Sequence, residues 1–130
     1  GVEHADMTRR EDPFNAPAAP RKPQPFTHLG VLDLEATCDD RRGFAPQEII
    51  ELPCVLLEVA TGRKVGEFRT YVRPVVNPSL TDFCTTLTGI TQEQVDAAPP
   101  FPEALKSLTA WLEEQGMLGG GGGGVKGVVK

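Results

Sequence analysis

The chain is poor in the residues from which most catalytic centres are assembled. It has two histidines, His4 and His28, and none after position 28. One sits in a charged leader and the other at the entry to an apolar strand, so no Ser/His/Asp or Cys/His arrangement can be built on them. Cysteine is nearly as scarce. Cys38, Cys54 and Cys84 are an odd number without C-x-x-C spacing; this argues against a zinc site or a disulfide framework and fits a reducing cytoplasmic or nuclear location. No apolar run is long enough to cross a bilayer, and the N-terminal GVEHADMTRRED lacks the apolar segment of a secretory signal, so no membrane partner is expected. The glycine run at 119–124 lacks the Lys-Ser/Thr that completes a phosphate-binding loop. Positive charge is also in deficit. A formal net charge of −5 argues against broad polyanion binding by charge alone, yet is compatible with an acidic metal site.

What remains is enough for one domain of ordinary composition, 39% apolar and 24% charged over 130 residues. Residues 1–26 are rich in proline, alanine and charge and are expected to be a disordered leader. Residues 118–130 hold the glycine run and VKGVVK, expected to be a flexible Gly-rich tail. The foldable part is 27–117. Within it, HLGVLDLEATC, EIIELPCVLLEVA and VGEFRTYVRP read as three strands, the second and third joined as a hairpin through TGRK with Gly62 free for positive φ. The first is apolar on both faces up to Asp33, which marks it as central. Three helices follow. One covers 77–89 with Ser79 as N-cap and Gly89 as the stop; the next has a capping box of Thr91 with Gln94. The last, 101–115, carries Phe101, Leu105, Leu108 and Leu112 as one apolar stripe, with Trp111 in the core beside it.

Asp33 and Glu35 interrupt the first strand where it would otherwise stay apolar. Residues two apart on a strand share a face, with Cα atoms about 6.5–7 Å apart. Two carboxylates that close repel, and burial makes the repulsion costly unless something compensates it. A hard divalent cation is the usual compensation, because Mg²⁺ and Mn²⁺ prefer carboxylate oxygens. The alternative is a strand end that emerges into solvent and carries acids there.

The surrounding residues go further. LDLEATC, then EIIELPCVLLE, then TYVRPVVNPSLTDFCTTLTGITQEQVDAAPPFPEAL resemble, in order and spacing from Leu32 to Leu112, the ERI-type, three-prime histone-mRNA exonucleases. These are DEDDh 3′–5′ exonucleases on an α/β, ribonuclease-H-like fold. The resemblance implies a 3′–5′ exoribonuclease acting on RNA 3′ ends, single-stranded or overhanging a stem-loop, through two Mg²⁺ ions or Mn²⁺ in their place. It implies that Asp33 and Glu35 are metal ligands and catalytic, with Asp33 bridging both ions and Glu35 binding the ion that activates water. It further implies that the backbone at Glu35 and Ala36 contacts the terminal nucleotide and that Phe83 stacks on its base. Without the family, Phe83 reads as a core phenylalanine on a short helix.

Two family motifs have no counterpart. A third carboxylate, and an H-x4-D whose histidine acts as general base, should lie further along, but no aspartate follows Asp96. HLGVLD at 28–33 has the spacing by accident, since an offset of five puts His28 and Asp33 on opposite strand faces. The chain also starts without Met. The expectation is therefore a fragment of a longer exonuclease, truncated after three strands and their following helices, with an unpaired apolar edge on its first strand and little or no activity alone. A non-catalytic segment that binds RNA or a partner is the alternative. The Asp39-Asp40-Arg41-Arg42 run reads as a solvated loop, and Lys64, Arg69 and Arg73 as the polar face of the hairpin. Cys38 and Cys84 read as small packing residues.

Overall fold

A computed structural model of the chain describes residues 23–118 and a short strand near the C-terminus. Along the described residues run β1 (His28–Leu32), β2 (Glu35–Ala36), β3 (Ile49–Glu58), β4 (Lys64–Tyr71), α1 (Asp82–Thr88), α2 (Gln92–Asp96), α3 (Phe101–Glu114) and β5 (Lys126–Val129). The leader through residue 22, and tail residues 119–125 and 130, lie outside the described residues.

The ten-residue β3 organises the sheet because alternate residues, Ile50, Leu52, Cys54 and Leu56, are all buried. β1 and β2 pair antiparallel along one of its edges and β4 along the other. The β3–β4 hairpin turns as expected, with Gly62 at φ +70° and its N–H donating to the Glu58 carbonyl. α3 crosses the buried face. Ala104 and Leu108 join Leu52, Cys54 and Val72 there, with Leu32, Leu34, Phe68, Trp111 and Leu112 packed around them. Trp111 lies against Gly66, where a Cβ would come within 3.1 Å of the indole, and its ring centroid is 5.7 Å from that of Phe68. A second cluster, Ile50, Cys84, Ile90 and Val95, seals α1 and α2 onto the end of the sheet.

Three expectations are corrected. The stripe on α3 is rotated: Phe101 and Leu105 are 40% and 44% exposed, and the inward positions are Ala104, Leu108, Trp111 and Leu112. The helical period is right, but the buried face is centred on Ala104 and Leu108. Ser79 does not cap α1. Thr81 does, its hydroxyl accepting from Cys84 N, and the helix closes on Gly89 at φ +74°. Finally, β1 has no free edge. Lys126–Val129 pairs parallel with Leu29–Leu32, so part of the segment expected to be a flexible tail is a strand, and the sheet has more than three. The α2 capping box is present as expected.

Candidate active site

The carboxylates sit where the ladder breaks. The first strand was expected to run unbroken to Cys38; instead it divides into β1 and β2, leaving Asp33 and Leu34 unpaired between them. The register explains the gap. Leu32 faces Cys54 and Glu35 faces Glu51, so the register is unchanged across the break and Asp33 falls opposite Pro53. Val59 N donates to Thr27 O, which places the hydrogen-bonded pairs at Thr27/Val59 and at every second residue from there, the fourth being Asp33/Pro53. Proline has no N–H to give, so the Asp33 carbonyl loses its ladder partner at that position. A second irregularity follows: between Glu35/Ala36 and Glu51/Ile49 the register shifts, with Ile50 as the extra residue on β3.

The preserved register keeps Asp33 and Glu35 on one face, opposite Leu32 and Leu34, which pack on the α3 side. Asp33 is exposed and Glu35 half-buried. Neither carboxylate has a hydrogen-bond or salt-bridge partner among the described residues. Glu51, directly across from Glu35, would add a third negative charge, but Arg69 takes it. The guanidinium donates to Glu51 at 3.0 Å and to the Tyr71 hydroxyl at 2.7 Å, and its Cζ lies 4.8 Å from the Tyr71 ring centroid. Arg69 therefore has a task that the sequence did not suggest. Glu35 is left as the free acid of the row.

Beyond Glu35 the backbone is tied down from two sides. Thr37, fully buried, exchanges bonds with Glu48: its N–H donates to the Glu48 carbonyl, and its hydroxyl accepts from Glu48 N. On the other side α1 leans on this segment. Thr81 Oγ1 donates to the Cys38 carbonyl at 2.6 Å, and Cys84 Sγ to the Ala36 carbonyl at 3.7 Å. Phe83, next to Cys84, is 39% exposed and lines an open cleft of about 500 Å³ with Asp39, Asp40 and Arg41. Its exposure removes the core reading. Arg41 is held by Asp39 at 2.6 Å; Asp40, Arg41 and Arg42 are exposed as a solvated loop requires, whereas the Asp39 side chain is only 7% exposed. His28, hydrogen-bonded to Thr27 at the start of β1, takes no part.

Two of the three thiols are held against ionisation. Burial, and then contact with the Cys84 thiol, push Cys38 up to about 11, and burial also raises Cys54; a thiol that stays protonated at neutral pH neither attacks nor binds metal well. A metal ion at this site would have oxygen donors, which suit a hard divalent cation. Among the described residues, however, no group of three or more Asp, Glu, His or Cys is placed to hold an ion. The donors present fit such an ion in kind and fall short of it in number.

An exonuclease family model matches residues 31–121. The chain belongs to this exonuclease family. Its relatives include ERI1 exoribonuclease 2 of Danio rerio, 46% identical over 99 residues that make up 73% of this chain and 18% of that protein. ERI1 exoribonuclease 3 of Homo sapiens is 45% identical over 96 residues, 74% of this chain and 28% of its own length. Among solved structures, the nuclease domain of 3′hExo, a DEDDh family member bound to rAMP, superposes with a TM-score of 0.70 at 40% identity, covering 80% of this chain and 50% of that one. The cell-death related nuclease CRN-4 gives 0.73 at 33% identity, covering 81% and 35%. The expected α/β, ribonuclease-H-like exonuclease fold is therefore the fold of this domain. The chain spans less than a third of the length of these curated relatives, and half or less of these structures. Divalent metal ions are what membership of this exonuclease family implies for the site.

Sequence reasoning singled out the acids and the aromatic but missed the residues that place them. Pro53, Thr81, Arg69 and Glu48 went unremarked or were assigned no task. Only Pro53 carried a usable signal, as a proline inside an otherwise uninterrupted strand.

Proposed function

We propose that this domain is the front half of a 3′–5′ exoribonuclease that hydrolyses RNA from its 3′ end. The observation that carries the reading is the unpartnered pair Asp33 and Glu35, on one sheet face at a ladder break, in a chain whose relatives are named exoribonucleases. Asp33 and Glu35 are the metal ligands, Mg²⁺ is the ion in two copies, and Mn²⁺ substitutes. Such ions activate a water and stabilise the leaving oxygen of a phosphodiester. The chain's own residues do the rest of the holding. The Glu35–Ala36 backbone, clamped by Thr37, Glu48 and α1, meets the terminal nucleotide, and the exposed ring of Phe83 stacks on its base, an interaction of about 1–3 kcal/mol.

Two carboxylates are half of the ligand set, and among the described residues no histidine is placed as general base. Full activity therefore requires a further Asp and an H-x4-D beyond those present. The test is release of labelled mononucleotides from RNA with a free 3′-OH, with and without divalent metal. In a protein carrying the complete domain, Asp33→Asn and Glu35→Gln should each abolish metal-dependent release; retained turnover would sink the assignment. For the 130-residue chain we expect RNA binding with little or no turnover, and rapid hydrolysis by it would show that the ligand set is complete without the later motifs.

A further inference from the structure

Thr81 holds two positions at once. As the N-cap of α1 its hydroxyl oxygen accepts from Cys84 N at 3.0 Å, and the same hydroxyl donates its hydrogen to the Cys38 carbonyl at 2.6 Å. An acceptor role and a donor role on one atom leave the hydroxyl no freedom to rotate. The segment leading to it is also pinned: Leu80 N donates to Gln92 Oε1 at 2.7 Å, and Gln92 Nε2 donates to the Pro78 carbonyl at 2.8 Å. One turn later Cys84, fully buried, makes the second link to the site through Ala36 O. Between these anchors Asp82 and Phe83 both line the cleft, and Phe83 is the aromatic of the two.

We propose that Thr81 is a positioning residue for the nucleotide site: it sets the height of the Phe83 ring above the Ala36–Cys38 backbone and so the width of the gap in which a 3′-terminal nucleotide is read. This rests on the reading of Phe83 as a stacking residue. A capping threonine whose only work was helix stability would not need the donor bond to Cys38. α2 supplies the comparison. Thr91 caps it by the same chemistry, accepting from Gln94 N, and makes no bond to the Ala36–Cys38 segment among the described residues. Thr81→Val removes both bonds at nearly constant volume, Thr81→Ser keeps both, and Thr91→Ala removes a cap alone.

The experiment is fluorescence anisotropy of a 5′-labelled oligoadenylate with a free 3′-OH, titrated with the 130-residue chain at low salt, with melting curves on every variant. Phe83→Ala should weaken binding about tenfold. Thr81→Val should fall most of the way toward that value, Thr81→Ser should return to wild type, and Thr91→Ala should lose melting temperature without losing affinity. The double variant Thr81→Val/Phe83→Ala should bind no worse than Phe83→Ala alone, because the threonine acts through the ring. If Thr81→Val does not fold, Thr81→Asp replaces it, since an ionised aspartate keeps a good cap but has no hydrogen to donate. Wild-type affinity in the folded Thr81 variant, equal harm from Thr91→Ala, or additivity in the double variant would overturn the positioning role while Phe83 still counts. No binding by the wild-type chain, or equal binding by Phe83→Ala, would overturn the nucleotide reading and this inference with it.

Discussion

At the scale of single residues, Glu48 organises more of the site's surroundings than any residue chosen for its chemistry. Its carboxylate accepts from the backbone N–H groups of Val75, Val76 and Asn77, the shortest at 2.7 Å, while its main chain exchanges bonds with Thr37. Partial burial pushes the carboxyl up, but the three N–H donors outweigh it and the net direction is down. A carboxyl whose folded value is depressed contributes stability above the ordinary glutamate range and loses it as pH falls through the folded value. Glu48→Gln should therefore cost about 1–2 kcal/mol at pH 7 after discounting for solvent screening. The difference from wild type should shrink in acid. Chemical denaturation at pH 7 and at pH 3 checks both; an equal difference at the two pH values would show that the charge is not what matters.

At the scale of elements, the break between β1 and β2 is the feature on which the site depends. Pro53 withholds the one N–H that would carry the ladder through Asp33. Pro53→Ala should restore that donor, draw Asp33 into the strand and protect the new amide at position 53 from hydrogen exchange. Because a misaimed ligand costs roughly tenfold or more in metal affinity, Mn²⁺ binding should weaken by about that factor. An unprotected amide would refute the explanation of the break. α3 offers a second test at this scale. Leu108, 6% exposed, packs on the sheet, whereas Leu105 faces solvent. Leu108→Ala should cost about 2–5 kcal/mol and Leu105→Ala within about 0.5 kcal/mol. Denaturant titration of the pair reads out which side of the helix is buried.

For the molecule as a whole, the central question is what guards the edge of β1. Lys126–Val129 pairs with it in parallel, and a strand so placed closes a row of backbone groups that would otherwise recruit another chain. Deleting residues 119–130 should expose that edge and produce concentration-dependent association, measured by sedimentation velocity. A truncated chain that stays monomeric at high concentration would mean that the pairing has no protective role. The same parallel register ends beside Leu32, one residue short of Asp33, so the sheet delivers its strand ends to the side where the acids stand.

Much of this was legible in the residues themselves, for physical reasons. Period-two alternation marked β3 and β4, the Thr91/Gln94 box and Gly89 marked helix ends, and two acids in an apolar strand marked the candidate site, because each is a local rule read within a few positions. The order and spacing of longer motifs carried the family. What escaped were contacts between residues distant in sequence: Glu48 with the loop at 75–77, Thr81 with Cys38, Arg69 with Glu51, and a valine-rich tail finding β1. The choice between Ser79 and Thr81 as cap, or between two faces of α3, depends on what lies opposite. Local sequence fixes which side chains can cap, alternate or bind an ion. Only the packed sheet decides which of them do, because a hydrogen bond or a buried face takes its value from the partner that tertiary structure brings to it.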